Sequence, residues 1–164
     1  MHPNEPHPIH SAVLVAVQRP DVDDAEFAES LAELRRLAKT LTLEIAGTCT
    51  QRRSTFDAGT YVGSGKLEEL KTLIEGSTAD TILVDHEISP SQARNLEKAT
   101  GAVVMDRTAV ILEIFHRHAR SRAAKAQVEI VRLQYMAPRL RAQGAGRDRQ
   151  RGGIGGRGVG ESGL

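Results

Sequence analysis

The sequence predicts an α/β fold, in which a small parallel sheet with flanking helices is followed by a long α-helical segment and a Gly/Arg-rich tail. Over residues 11–106, short apolar runs alternate with longer stretches of helical spacing, a pattern typical of βαβ units with parallel strands. From residue 107 onward the apolar spacing is helical only, and nine of the last twenty-one residues are glycine. With 164 residues, 40% of them hydrophobic, the chain has room for one domain with such extensions.

Apolar spacing indicates the first two strands and the helix between them. Ser11 to Val17 is a run of β-branched residues and alanine that predicts a buried strand. Asp23 or Asp24 can cap the next helix, whose apolar residues recur at spacings of three and four as far as Leu41. From Leu43 to Cys49 apolar and polar residues alternate, which indicates a second strand near a sheet edge.

Two further helix and strand pairs complete an α/β subdomain that we place at residues 11–106. A helix is predicted to begin at Ser64, and the apolar run Thr81–Val84 predicts a strand after it. Ser89 directly precedes a proline, so it predicts the N-cap of another helix. Ala102 to Met105 is the expected fourth strand.

The second part of the chain divides into a helical subdomain at residues 107–143 and a flexible Gly/Arg-rich tail at residues 144–164. One helix is predicted from Thr108, and a second runs from Ser121 to about Arg141. The glycine content beyond that point indicates a loop rather than a core element.

The second predicted helix carries apolar residues at the alternating spacings of a coiled coil. We call these residues the seam: Ala126, Ile130, Leu133, Ala137 and Leu140. A seam of this kind needs a partner helix, since apolar residues left in water favour association. The sequence therefore predicts self-association that depends on concentration, with folding back onto the α/β subdomain as the alternative.

Composition excludes several classes of protein. Cys49 is the sole cysteine, which excludes a disulfide framework or a Cys-rich zinc site and fits a cytoplasmic location. The longest apolar run, Ala12 to Val17, is too short to span a membrane. Residues 1–10 hold three prolines and three histidines without the pattern of a signal peptide, and we expect them to form a disordered leader. The histidine spacing indicates no metal site.

Charge is unevenly divided along the chain, with a net charge of −7 over residues 1–106 and +8 over residues 107–164. A basic segment attached to an acidic body predicts a polyanionic partner such as RNA. The candidate RNA-binding or ribosome-binding residues are Arg139, Arg141, Arg147, Arg149, Arg151 and Arg157. Interleaved glycine lets such a backbone approach RNA closely. A solvated helix and tail without a partner are the alternative interpretation.

A second candidate site is a short loop that resembles part of a phosphate-binding loop. Gly63, Ser64, Gly65 and Lys66 stand where a helix is predicted to begin, and backbone N–H groups at a helix N-terminus can hold an anion. The loop is not a Walker A motif, because Thr60 takes the place of its first glycine. ATP or GTP is the candidate ligand, and a purely structural turn is the alternative.

Polar residues also follow two of the predicted strands. Asp85, His86 and Asp106 stand at strand ends, where open α/β sheets place ligand sites. Helix capping explains them nearly as well. The sequence assigns no catalytic set of residues.

Several stretches in fixed order carry a family resemblance. They are YVGSGKLEEL at 61–70, DHEISPSQARNLE at 85–97, DRT leading into ILEIF at 106–115, PRL at 138–140 and GGIG at 152–155. Together they resemble the N-terminal region of HflX-type GTPases, a resemblance that covers roughly residues 11–161.

The resemblance implies a ribosome-associated protein with an α/β subdomain, an α-helical hairpin and a separate GTPase domain. It implies the large ribosomal subunit and rRNA as partners, with the hairpin loop near the peptidyl transferase centre. GTP and magnesium are implied only for the GTPase domain, which is expected beyond residue 164. We therefore expect a truncated, noncatalytic ribosome-binding module. A nucleotide-binding domain and a nonfunctional remnant are the alternatives.

Overall fold

The computed structural model describes the backbone of residues 10–151 and the side chains of residues 10–139. The described chain forms a four-stranded parallel sheet with the strand order β2-β1-β3-β4. The strands are β1 (Ser11–Gln18), β2 (Glu44–Arg52), β3 (Thr81–Val84) and β4 (Val103–Asp106). The helices are α1 (Asp24–Thr40), α2 (Ser64–Glu75), α3 (Pro90–Thr100), α4 (Arg107–His118) and α5 (Arg122–Arg151). The predicted fold class is confirmed.

The hydrophobic core consists of two layers, one on each face of the sheet. Val13 and Val15 of β1 lie in the layer under α2 and α3, whereas Leu14 lies in the layer under α1 and α4. This division follows from the alternation of side chains along a strand. Because β1 is central and covered on both faces, residues 11–17 are all buried, as the sequence predicts. β2 occupies a sheet edge, also as predicted.

Side-chain caps fix where the helices begin. Asp23 accepts a hydrogen bond from the backbone N–H of Glu26 at the start of α1. Ser89 and Gln92 form a reciprocal capping box at the start of α3. All helices from α1 to α4 begin at the carboxyl ends of strands, so their N-termini share one edge of the sheet.

Helix α5 differs from the expectation at its far end. The helix was expected to end near Arg141, but it is 30 residues long and ends at Arg151. The first residues of the expected flexible segment are therefore helical. Gly144 and Gly146 cost roughly 1 kcal/mol each in a helix but, unlike proline, keep their backbone donors. Pro138 lies inside the helix. Residues 1–9 of the leader expected at residues 1–10 lie outside the described residues, as do residues 152–164 of the tail expected at residues 144–164. His10 is described, and its Nδ1 lies 2.7 Å from Oδ2 of Asp80.

α5 packs against α3 and α4 and covers the side of the sheet where β4 is the edge strand. At 1.5 Å per residue it is about 45 Å long. No helix in the described part of the chain is both long and apolar enough to cross a membrane. Residues 10–139 contain no group of three or more His, Cys, Asp or Glu side chains arranged to hold a metal ion.

Candidate functional site

The loop before α2 is held by contacts on its first glycine. Gly63 is the N-cap of α2, and its N–H donates to Oε1 of Gln51 at 2.9 Å. A Cβ atom added at Gly63 would lie 2.6 Å from Nη1 of Arg53. The absence of a side chain at Gly63 therefore lets the Arg53 guanidinium approach the start of α2.

The first turn of α2 has the features of a weak anion site. No hydrogen bond within the described residues satisfies the N–H groups of Ser64, Gly65 and Lys66, and the N-cap supplies no side-chain acceptor. A helix N-terminus of this kind carries a partial positive charge. The Lys66 ammonium donates to Oε2 of Glu69 at 2.8 Å, and this hydrogen bond raises the pKa of Lys66. Glu69 thus offsets part of the positive charge that the sequence motif suggests.

Asp85 is buried and bonded to other residues of the protein. It lies at the end of β3, is 3% exposed, and its Oδ2 accepts from the Ser30 hydroxyl at 2.7 Å. Its Oδ1 lies 3.1 Å from Nη2 of Arg107, an ion-pair contact without hydrogen-bond alignment. Arg107 also pairs with Glu33 of α1 at 3.1 Å. This network ties the end of β3 to α1 and α4.

Asp106 is the most heavily bonded side chain at the strand ends. Its Oδ1 accepts from the N–H of Ala109 at 2.9 Å, so Asp106 is the N-cap of α4. Its Oδ2 accepts from the N–H of Ile88 at 3.1 Å, from the Tyr135 hydroxyl and from Nη2 of Arg139 at 3.0 Å. The carboxylate is completely buried. We call Asp106, Tyr135 and Arg139 the α5 anchor.

An aromatic cluster fills the crevice between the ends of β1 and β3, where the strand order reverses. The phenolic oxygen of Tyr61 accepts from the N–H of Val17 at 2.8 Å and lies 2.6 Å from Nδ1 of His86. Phe56 contacts both rings, and Arg19 lies over the Phe56 ring at 4.3 Å. Although α/β sheets bind ligands at such positions, here the loop between β2 and α2 occupies it.

The ionisation of this cluster is set by burial. Burial raises the pKa of Tyr61 above its usual value and lowers the pKa of His86, because each charged form loses its hydration. Tyr61 also adopts φ of 67°, a backbone conformation that is unusual for a side chain of this size. The hydrogen bonds of Tyr61 to β1 and His86 therefore hold a constrained residue in place.

Arg139, one of the candidate RNA-contacting residues, has partners inside the protein. Its side chain is 12% exposed, pairs with Asp106, donates to the carbonyl of Ile88 and lies over the Tyr135 ring at 3.9 Å. A guanidinium with these partners is not free to bind phosphate. The helical backbone includes Arg141, Arg147, Arg149 and Arg151, whose side chains are outside the described set, as is all of Arg157.

The first three residues of the seam, Ala126, Ile130 and Leu133, are exposed. Ile130 is 57% exposed and Leu133 is 51% exposed, whereas Tyr135 and Arg139 of the same helix face the body. Ala137 is half-buried, and the side chain of Leu140 is not among those described. The polar anchor thus leaves an apolar face of α5 in contact with solvent.

Sequence reasoning missed two participants. Tyr135 and Arg53 were not singled out, because neither lies in a motif and each acts through a partner distant in sequence. The only available signal was the placement of Arg139 one helical turn after Tyr135, a spacing that puts both on one face. Helix capping, the alternative considered for Asp106, is observed.

Two family models match the chain: "GTP-binding GTPase N-terminal" over residues 28–116 and "GTP-binding GTPase Middle Region" over residues 118–164. A protein named GTPase HflX from Gluconacetobacter diazotrophicus is 46% identical, and the match covers 96% of this chain and 42% of that protein. GTPase HflX from Alkalihalophilus pseudofirmus is 47% identical over 95% of this chain and 37% of its own length. The chain thus spans about two fifths of the length of these curated relatives.

Solved structures share the fold. A GTP-binding protein from the hyperthermophilic archaeon Sulfolobus solfataricus, in complex with GDP, superposes with a TM-score of 0.59 at 23% identity and covers 87% of this chain and 42% of that one. The complex of SsGBP and GDP gives a TM-score of 0.63 at 22% identity, over 81% of this chain and 37% of that chain. At these identities the likeness concerns the fold alone.

Proposed function

This chain belongs to the HflX family of GTP-binding proteins, and from that premise we propose that it is a module that binds the large ribosomal subunit through rRNA. It spans the N-terminal and middle regions of the family. The name GTPase belongs to the full-length relatives, of which this chain covers about two fifths. In this proposal the module contributes binding rather than catalysis. A ribosomal partner would place the protein in the cytoplasm.

The observation that carries this proposal is the position of the basic residues on α5. Helix α5 continues for twelve residues beyond Arg139, to Arg151. That extension spans about 18 Å and carries four arginines and one aspartate. Arginine makes bidentate contacts to phosphate and stacks on bases, so an arginine-rich helix suits an RNA partner better than a protein core.

Binding to purified large ribosomal subunits at increasing salt tests the proposal. We expect steep salt dependence, because each phosphate contact releases counterions. Replacing Arg147, Arg149, Arg151 and Arg157 by alanine removes four cations, which should reduce the log–log salt slope by about 3. Equal affinity and an equal slope for this variant would show that the arginines do not contact RNA.

Two controls make the result specific. Arg35 and Arg36 lie exposed on α1, and replacing both with alanine removes positive charge from the body without touching α5. This pair should bind large subunits like the unmodified protein. The small ribosomal subunit serves as the second control, since general attraction to RNA would appear equally with both subunits.

Nucleotide binding at the start of α2 is a second candidate function. The unpaired N–H groups of the first turn and the adjacent Arg53 guanidinium support it. Titration with labelled ATP and GTP tests it, with Lys66→Ala and Arg53→Ala expected to weaken binding. Lys71→Ala, on an exposed part of the same helix, should have no effect. Absence of binding at millimolar nucleotide excludes this function.

A further inference from the structure

Among the residues whose side chains are described, helix α5 makes polar contacts with the rest of the protein at two places. Near its start, Arg132 lies 3.5 Å from a carboxylate oxygen of Glu113, and Glu129 lies 3.3 Å from Nδ1 of His116. These groups are partly exposed, and ion pairs of this kind contribute little. At the second place lies the α5 anchor, in which the Asp106 carboxylate is buried and bonded.

Between the two places α5 does not pack tightly on the sheet. A groove of about 520 Å³, partly open to solvent, runs along β4 between α4 and α5, and its lining includes Val104, Met105, Leu112 and Met136. Apolar contact with β4 therefore contributes little to the direction of α5, and the anchor connects α5 directly to the end of that strand.

Asp106 can position α5 because its one carboxylate joins four segments of the chain. The residue ends β4, caps α4, accepts from Ile88 in the loop before α3, and accepts from two side chains of α5. Arg139 adds a second connection by donating to the carbonyl of Ile88. The carboxylate geometry fixes these segments relative to one another, because charge-assisted hydrogen bonds are strong and directional.

We propose that Asp106 is a positioning residue that, through Tyr135 and Arg139, sets the direction in which α5 leaves the α/β body. Without the anchor, α5 pivots about the connector Ala119–Ser121, the non-helical link between α4 and α5. The direction of α5 itself does not depend on the proposed ribosomal function. If the ribosomal function holds, the direction of α5 also determines where the arginines beyond residue 139 lie relative to the α/β body.

A distance between α2 and α5 measures the direction of α5. Cys49→Ala first removes the native cysteine. Spin labels are then attached at Glu68→Cys and Gln134→Cys, both exposed positions, and pulsed electron paramagnetic resonance measures the distance between them. The unmodified anchor should give one narrow distance distribution. Asp106→Asn removes the charge but keeps an oxygen that can cap α4, and it should broaden the distribution by several ångströms.

Arg132→Gln is the matched control, because it removes an α5 arginine that pairs only near the surface. It should leave the distribution narrow. A narrow distribution in Asp106→Asn, or equal broadening in Arg132→Gln, would overturn the proposal. If Asp106→Asn does not fold by circular dichroism, the double variant Tyr135→Phe/Arg139→Gln, which leaves the contacts of Asp106 to α4 and Ile88 intact, decides in its place.

Ribosome binding then separates the two proposals. If the large subunit is the partner, Asp106→Asn should weaken affinity roughly tenfold, within the range of indirect coupling, with the salt slope preserved because the phosphate contacts remain. A changed slope would mean that Asp106 alters the contacts themselves and is not a positioning residue. If the unmodified protein does not bind, the proposed function fails, while the distance measurement still tests the anchor.

Discussion

Removing the Tyr61 hydroxyl is expected to destabilise the fold by breaking one specific backbone interaction. β1 is eight residues long and its β3 partner only four, so pairing between them ends at Val15 and Val84. The N–H of Val17 lies beyond that point and donates to the Tyr61 hydroxyl at 2.8 Å in a buried environment. Tyr61→Phe keeps the ring and leaves this donor without an acceptor.

The expected cost is about 1–3 kcal/mol, since a buried unsatisfied donor loses its full hydration. For a protein of this size that corresponds to a melting temperature lower by roughly 2–12 °C. Urea denaturation gives the free energy of unfolding directly, and an unchanged m value would show that the variant unfolds in the same way.

The same substitution in a His86→Gln background shows which partner of the hydroxyl matters. If the cost comes from the Val17 N–H, Tyr61→Phe should destabilise both backgrounds by a similar amount, because that donor is present in both. A loss below about 0.5 kcal/mol, the range of ordinary surface substitutions, would refute the argument that the hydroxyl satisfies the Val17 N–H beyond the end of the β1–β3 pairing.

Three further predictions follow from other features. Because burial lowers the pKa of His86, the folded state favours the neutral ring, and the free energy of unfolding should fall as pH drops below about 6.5. In urea titrations at pH 5–7, His86→Gln should reduce the dependence of this free energy on pH. An unchanged dependence would contradict the prediction. Gly101→Ala, at φ of 75°, should cost about 1–2 kcal/mol in thermal unfolding, whereas Gly65→Ala, with open space around its Cβ position, should not destabilise. The seam should give a concentration-dependent dimer in analytical ultracentrifugation that Ile130→Asp and Leu133→Asp abolish; a monomer at every concentration would remove the seam as an interface.

The order of strands and helices could be read from the sequence because it depends on local patterns. Ser89 with its following proline and the run Thr81–Val84 predicted element positions that the structure reproduces. Local signals determine such positions, since caps and periodicity act over a few residues. The end of α5 was missed because glycines at 144 and 146 reduce helix propensity without preventing a helix.

The candidate site was less predictable, because its contacts join residues far apart in sequence. Tyr61 lies 44 residues from Val17, and Tyr135 lies 29 residues from Asp106. The helix predicted to begin at Ser64 does begin there, but the motif alone does not indicate that Glu69 pairs with Lys66. Composition likewise placed Arg139 among the RNA-binding arginines, and only its burial shows the internal role.

Helix α5 has an apolar face, which the sequence predicts, and a polar face that forms the anchor, which the sequence does not predict. An apolar face repeats with the helical period, so the spacing of Ile130 and Leu133 is enough to indicate a surface. A polar anchor needs only two residues, Tyr135 and Arg139, and two residues form no period. Yet the structure has the anchor against the body and the repeating face exposed. In this helix the hydrophobic pattern therefore identifies the side available to a partner helix, and a buried carboxylate determines the side that binds the protein's own core.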